Sequence, residues 1–355
     1  MARTLITGGA GFVGTNLAKH LLARDQSVCI LDSLARAGSE QNIEWLCAHF
    51  GRRLQFVRAD VRDRDALSAA IADVDHVVHL AAQVAVTSSL VNPLLDFEAN
   101  ALGTLNVLEA ARSCAQPPSL VFTSTNKVYG ALADIALEAN NNRYLPVEER
   151  VRERGISEDR PLDFHSPYGC SKGAADQYVL DYSRSFGLRT VVLRMSCIYG
   201  PHQHGNEDQG WVAHFMRCAL DGRDVTIYGD GMQVRDVLFV EDLVEAFERC
   251  RAGIDVVAGR AFNIGGGVTN SVAVLELLES IEQLTGCDLR IGFEDWRVGD
   301  QRYYVSDTAR LRAATGWRPR TPVPQGLSAL CEWLQLSQQP PAVPMRSTPS
   351  VAARP

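Results

Sequence analysis

Thr4-Leu5-Ile6-Thr7-Gly8-Gly9-Ala10-Gly11-Phe12-Val13-Gly14 decides the fold of this chain. Leu5-Ile6-Thr7 is a short apolar run of strand type, and Gly8, Gly11 and Gly14 follow in a GxxGxxG pattern that opens a helix. Glycines at this spacing permit a tight turn and let backbone N–H groups approach a pyrophosphate at the helix start. Phe12 and Val13 begin that helix and belong to the same expected contact. A second strand, Val28-Cys29-Ile30-Leu31, ends at Asp32. A carboxylate there accepts hydrogen bonds from the adenosine ribose and repels a 2′-phosphate. NAD is therefore expected rather than NADP, a preference that Arg36 softens.

Further strand ends extend the pattern. Leu54 to Val57 leads to Asp60 and Val61, which are expected to flank the adenine. Val77-Val78-His79-Leu80 ends at Ala81-Ala82, small residues that let the backbone run close beside a cofactor. His79, inside a strand, reads as a buried structural histidine. Leu120-Val121-Phe122 ends at Thr125, and Val191 to Arg194 ends at Met195. Strands alternating with helices such as Gly103 to Arg112 predict an α/β protein with a Rossmann-type, doubly wound parallel sheet. Such sheets hold ligands at the carboxyl ends of their strands.

Composition bounds the function. Across 355 residues, hydrophobic residues make up 46%, enough for a sizeable core, and the net charge of -7 argues against a general nucleic-acid binder. The nine cysteines show no CxxC pairing, so buried reduced thiols in a cytoplasmic protein are expected, without metal or disulfides. No signal peptide or membrane span is expected. The segment from about Ser337 to Pro355, rich in Pro, Ser, Gln and Ala, reads as a mobile tail.

Downstream stands Tyr168-Gly169-Cys170-Ser171-Lys172. A tyrosine and a lysine four residues apart share a helix face. The lysine cation is expected to stabilise phenolate and bring the phenol below its usual pKa of about 10, as a general base requires.

Taken together, these residues resemble the extended short-chain dehydrogenase/reductase family, the sugar-nucleotide epimerases and dehydratases. The resemblance runs from Met1 to about Trp333. It is carried by Thr7 to Gly14, His79 to Ala82, Asn100 with Gly103 to Ala110, Ser124 to Gly130, Tyr168 to Lys172, Tyr199-Gly200-Pro201, Arg235-Asp236-Val237 and Asn263 to Gly266. It implies that Thr125, Tyr168 and Lys172 are catalytic, and that Leu80, Ala81, Ala82, Asn100 and Met195 join the NAD site. Gln83, Ser88, Asn126, Ser196, Gln203, Gln209, Arg235 and Arg302 are the implied nucleotide-sugar contacts. Family dehydratases place Asp-Glu after the catalytic threonine; here Asn126-Lys127 stands there, which removes the acid and base of 4,6-dehydration.

Longer stretches, Leu162 to Tyr178, Asp208 to Val212, Gln233 to Val237 and Asp300 to Arg302, resemble the subclass that inverts C2 of a CDP-linked dideoxyhexose. A CDP-sugar partner and bound NAD follow from that resemblance, with a UDP-hexose 4-epimerase as the same-family alternative. A non-catalytic NAD sensor would have lost the tyrosine or the lysine. The resemblance also implies a homo-oligomer, dimer or tetramer, to which Ala99 to Arg112 and Ala174 to Phe186 offer one face each. Residues 1–199, returning at about 235–267, are expected to form the dinucleotide domain, with 200–234 and 268–336 as the substrate lobe. His202 and His204 lie in a loop that closes on the nucleotide. The polar stretch 131–163 reads as a partly ordered lid.

Overall fold

The computed structural model describes residues 3–297 and 299–338. A seven-stranded sheet forms its centre, built from β1 (Arg3–Thr7), β2 (Ser27–Asp32), β3 (Leu54–Arg58), β4 (His76–His79), β5 (Ser119–Thr125), β6 (Thr190–Met195) and β7 (Arg260–Ile264). All neighbours are parallel, in the spatial order β7-β6-β5-β4-β1-β2-β3. The order reverses between β1 and β4, so that seam is the switch point where such sheets bind ligands.

The sheet is buried on both faces, which explains its continuous apolar runs. Ile6, Ile30, Val78, Val121, Val191, Leu193 and Phe262 point to one side. Their neighbours Leu5, Cys29, Leu31, Val77, Leu120, Phe122 and Val192 point to the other. Helix Phe12–Leu22 packs its Leu17, Ala18 and Leu21 on the first face, together with Leu243 and Phe247 of helix Val240–Ala252. Helix Ser166–Phe186 starts with Pro167 in its first turn and ends at Gly187 in the left-handed conformation, with φ 70°.

A smaller sheet stands beside this layer. Val234–Phe239 pairs with Cys197–Tyr199, Ser271–Ala273 and Tyr303–Tyr304. Arg235 therefore lies in this second sheet, while helix Val240–Ala252 and β7 pack with the main one. Val225–Tyr228 pairs with Ile291–Glu294. This part has its own apolar interior, in which Phe215, Met216, Leu277, Ile281 and Leu330 are buried together.

The stretch 131–163 is built rather than loose. It contains the antiparallel hairpin Leu137–Asn140/Arg143–Pro146 and helix Glu149–Arg154. Ile156 donates its N–H to the Val305 carbonyl, and Tyr144 donates its N–H to that of Met232. The expected tail lies almost wholly outside the described residues; Ser337 and Gln338 end helix Val323–Gln338. All nine cysteines are free, but Cys47 and Cys170 are exposed, contrary to the expectation of uniform burial. Among the described residues no helix is long and apolar enough to cross a membrane.

One buried ion pair locks helix Ser166–Phe186 to the sheet. Arg194 on β6 donates Nε and Nη2 to both oxygens of Asp176, at 2.9 and 3.0 Å, and Nη1 to the Tyr129 hydroxyl at 3.1 Å. Asp176→Ala leaves that guanidinium buried without its carboxylate. The expected loss is about 3–5 kcal/mol, measured by denaturant unfolding.

Candidate active site

The glycine turn follows β1 directly. Gly8 sits at φ +69°, and a Cβ there would meet the Ala81 nitrogen at 2.6 Å. A Cβ on Gly14 would lie 2.7 Å from the Gly8 carbonyl oxygen. These positions accept only glycine because two strand ends and a helix start converge. Asp32, at the end of β2, accepts hydrogen bonds from the N–H groups of Ala10 (3.0 Å) and Leu34 (2.8 Å). Its carboxylate thus lies against the turn, and burial raises its pKa. A close-approach turn at a helix start, with an acid at the next strand end, is a donor set suited to a dinucleotide.

The rest of the predicted cofactor set lies at or just past the ends of strands of the sheet and on the helices that follow them. Leu80 N–H donates to the Thr7 carbonyl at 3.0 Å, placing Ala81 and Ala82 beside it. Val61 is buried against Gly103. Asp60 is paired with Arg62, which also reaches Glu98. Met195 ends β6 and packs at the edge of the core. Phe12 and Val13 start the helix, half-buried. Asn100 is a different case. It is fully buried, accepts from the Gln83 N–H at 2.8 Å, and donates to the Gln83 carbonyl, Asp96 and Ser171. Protein groups occupy its amide, so its effect on a cofactor runs through the Gln83 backbone.

Thr125 ends β5, in the strand next to β6, and Tyr168 and Lys172 lie on helix Ser166–Phe186. The helix start is held by Ser89, whose hydroxyl accepts the Tyr168 N–H at 3.2 Å. Burial pushes the phenol up to about 12; hydrogen bonding with Thr125 counters this, and the Asp96 carboxylate adds to it. Burial brings the Lys172 ammonium down to about 7, against the pull of Asp176 and Asp96. Lys172 Nζ donates to the Thr123 carbonyl at 2.7 Å and lies 4.2 Å from the Phe122 ring centre. The expectation that Lys172 lowers the Tyr168 pKa is thus corrected for the protein alone. Both groups are desolvated together, and the amine is turned onto the sheet. His79 matches its structural reading: fully buried between Thr7 (2.6 Å) and Thr104 (3.0 Å), it is driven down to about 3 by burial.

The predicted sugar and nucleotide contacts divide. Asn126 and Arg235 are buried beside Thr125 and on the second sheet. Gln83 is turned onto its own loop, donating to the Ala85 carbonyl at 2.8 Å and accepting from its N–H. Ser88 is exposed, and its neighbour Ser89 does the structural work. The Ser196 hydroxyl is bound to Asp236. Gln203 is buried and donates to the Ile198 carbonyl at 3.1 Å. Gln209 closes a turn with Asn206. Arg302 is exposed, its guanidinium 5.3 Å from the Trp296 ring centre and 5.8 Å from that of Tyr144. Gln83 and Ser196 are committed to internal partners, whereas Gln203 donates internally but keeps its buried Oε1 without a hydrogen-bond partner.

The loop from Gly200 is wired to the glycine turn. Asn16 donates to the carbonyls of Phe12 (2.9 Å) and Pro201 (2.8 Å); Asn42 donates to those of Ala10 (3.1 Å) and His202 (3.3 Å). His202 packs its ring 4.5 Å from that of Trp45. Reading the sequence assigned no role to Asp300 or Gln301. Gln301 is fully buried, accepts from Asn126 Nδ2 at 3.2 Å and donates to the Gly130 carbonyl at 2.7 Å.

Residues 4–265 match the NAD dependent epimerase/dehydratase family. A CDP-paratose 2-epimerase of Salmonella typhi is 41% identical, covering 93% of this chain and 98% of its own length. A UDP-glucose 4-epimerase of Mycolicibacterium smegmatis is 33% identical, covering 95% of this chain and 100% of its own. The crystal structure of the Thermus thermophilus UDP-glucose 4-epimerase in complex with NAD superposes with a TM-score of 0.78. It is 34% identical and covers 94% of this chain and 99% of its own.

Proposed function

The chain belongs to the NAD dependent epimerase/dehydratase family, and from that premise we propose that it inverts C2 of a CDP-linked dideoxyhexose, CDP-paratose to CDP-tyvelose, through a 2-keto sugar. NAD is its cofactor. The observation that carries the reading is the pair after Thr125. Asn126 and Lys127 provide no carboxylate, and both are bound to the 299–301 segment. The Asp300 carboxylate that this segment brings to Lys127 is shared between two cations, which leaves beside the threonine the machinery for moving one proton at one carbinol. The choice of CDP and of C2 is supported by the Salmonella typhi relative.

The glycine turn, Asp32 and the strand ends at Ala81 and Met195 would hold the dinucleotide. When bound, NAD supplies a hydride acceptor and donor and the positive charge of its oxidised ring. Tyr168 takes the C2 hydroxyl proton and later returns it. Thr125, whose hydroxyl donates to Asn126 Oδ1 at 3.3 Å and accepts the Lys127 N–H at 3.2 Å, orients the same oxygen. Lys172, buried next to the sheet, anchors the nicotinamide ribose. The sugar must present both faces to one fixed tyrosine, so it has to swing while its nucleotide stays put. Arg235 and Arg302 suit that anchoring, since a guanidinium fork matches phosphate oxygens. The region around the seven-stranded sheet serves the dinucleotide, and the region around the second sheet serves the nucleotide sugar. Exposed Leu94 and Phe97 on helix Pro93–Phe97, and Tyr178 and Phe186 on helix Ser166–Phe186, support a homo-oligomer paired through this side of the molecule.

Purified protein incubated with CDP-paratose and, separately, UDP-glucose decides the matter. C2 inversion seen by NMR without net NADH is the expected result. Turnover of UDP-glucose alone would replace this reading with that of a 4-epimerase, which the Mycolicibacterium smegmatis relative supports.

A further inference from the structure

The proposed reaction gives Lys127 no role as acid or base, yet its side chain is built into a specific contact. Lys127 Nζ donates to the Gly299 carbonyl at 3.1 Å and lies 3.5 Å from Asp300 Oδ1. Arg235 Nη2 lies 3.5 Å from the same carboxylate oxygen. Its guanidinium makes one hydrogen bond among the described residues, to its own Val234 carbonyl, at 2.9 Å. Two cations, one of them two residues after Thr125, therefore share one carboxylate, and among the described residues one of the two positive charges has no further counter-ion. Burial lowers the Lys127 pKa while Asp300 raises it. Neighbouring Gln301, tied to Asn126 and Gly130, fixes the segment that carries Asp300.

We propose that Lys127 is a positioning residue: by holding Asp300 it keeps Arg235 from being captured in a closed ion pair and leaves that guanidinium free for the diphosphate of the nucleotide sugar. The inference rests on the nucleotide-sugar reading above. Without Lys127, Arg235 and Asp300 form a neutral, desolvated pair, and an incoming diphosphate has to displace the carboxylate.

The test is calorimetric binding of CDP to the NAD-loaded protein. Lys127→Met is expected to weaken CDP about tenfold or more, the scale of one charged hydrogen bond. KM for the nucleotide sugar rises in step while kcat moves much less. Lys127→Arg should bind as wild type does. Asp300→Asn added to Lys127→Met should recover most of the lost affinity, because the competing carboxylate is gone. A double variant as weak as Lys127→Met, or a Lys127→Met protein that binds CDP normally, overturns the proposal. So does a collapse of kcat at unchanged CDP affinity. If Lys127→Met does not retain NAD, Asp300→Asn alone carries the test: affinity at or above wild type supports the idea, and a tenfold loss sinks it. Wild-type protein that binds neither CDP nor UDP would instead defeat the nucleotide-sugar reading itself.

Discussion

Tyr168→Phe protein is expected to purify with its NAD in place and to turn over nucleotide sugar slower by a factor on the order of 10²–10⁴, the usual contribution of a positioned acid–base group. The substitution removes one oxygen from a side chain that is 8% exposed and leaves the ring's packing intact. The Tyr168 backbone N–H still donates to Ser89, so the helix start keeps its place. Stability and cofactor content should therefore stay close to wild type, and the loss should sit in kcat. The phenol is held near 12 by burial in the protein alone, with Lys172 withdrawn onto the Thr123 carbonyl. Phenolate formation thus needs positive charge from beyond the side chains around it. NAD-stripped protein should show a tyrosine that resists ionisation up to high pH by ultraviolet difference spectroscopy, and reloading should bring its titration down. Near-normal epimerisation by Tyr168→Phe would remove the tyrosine from the reaction.

Gly8→Val is expected to yield protein without dinucleotide. At φ +69° an L side chain costs about 1–2 kcal/mol in backbone strain alone. The larger effect is steric, because the new Cβ would meet the Ala81 nitrogen at 2.6 Å and Ala81 Cα at 2.8 Å. Both belong to the backbone just past β4, which Leu80 N–H ties to the Thr7 carbonyl at 3.0 Å, so the turn itself must move. Gly187→Ala is the matched control. Gly187 has φ +70°, but a Cβ there meets nothing within 4 Å. It should lose only about 1 kcal/mol and keep its cofactor. Acid release and quantitation of NAD, beside thermal unfolding, separates the two. If Gly8→Val carries full NAD, the turn does not hold the pyrophosphate.

What could be read in advance was local. Glycine spacing, the acid after β2 and alternating strands are written within windows of ten to thirty residues, and the parallel sheet followed from them. The Thr125 and Tyr168 positions were legible for the same reason, since each ends or begins an element with its own pattern. Asp300 and Gln301 were not assigned roles, because their partners Lys127 and Asn126 lie more than 170 residues away and no periodicity links them. The 131–163 stretch looked loose because it is polar. Its order comes from a few isolated anchors, Tyr144 and Ile156, whose value appears only once Met232 and Val305 are beside them. Lys172 was placed on the correct helix face, but spacing says nothing about rotamer or desolvation, and these set its charge. Asn100 and Ser196 show the same limit: a side chain at a promising position is already claimed, by a neighbouring loop at Gln83 and by a strand residue, Asp236.

The two apolar interiors share no side chains: Phe215, Met216, Leu277 and Leu330 fill one, while Leu5, Ile6, Val121 and Val191 belong to those flanking the main sheet. The interiors meet along the strand Val234–Phe239, where Leu238 faces one and Val237 and Phe239 the other; away from that strand, changes more than about 7–10 Å apart combine additively. On the proposed division of labour, natural selection can retailor the carbohydrate side, one residue at a time, without loosening the dinucleotide side. A single scaffold can in this way spread across many sugars while its electron chemistry stays constant.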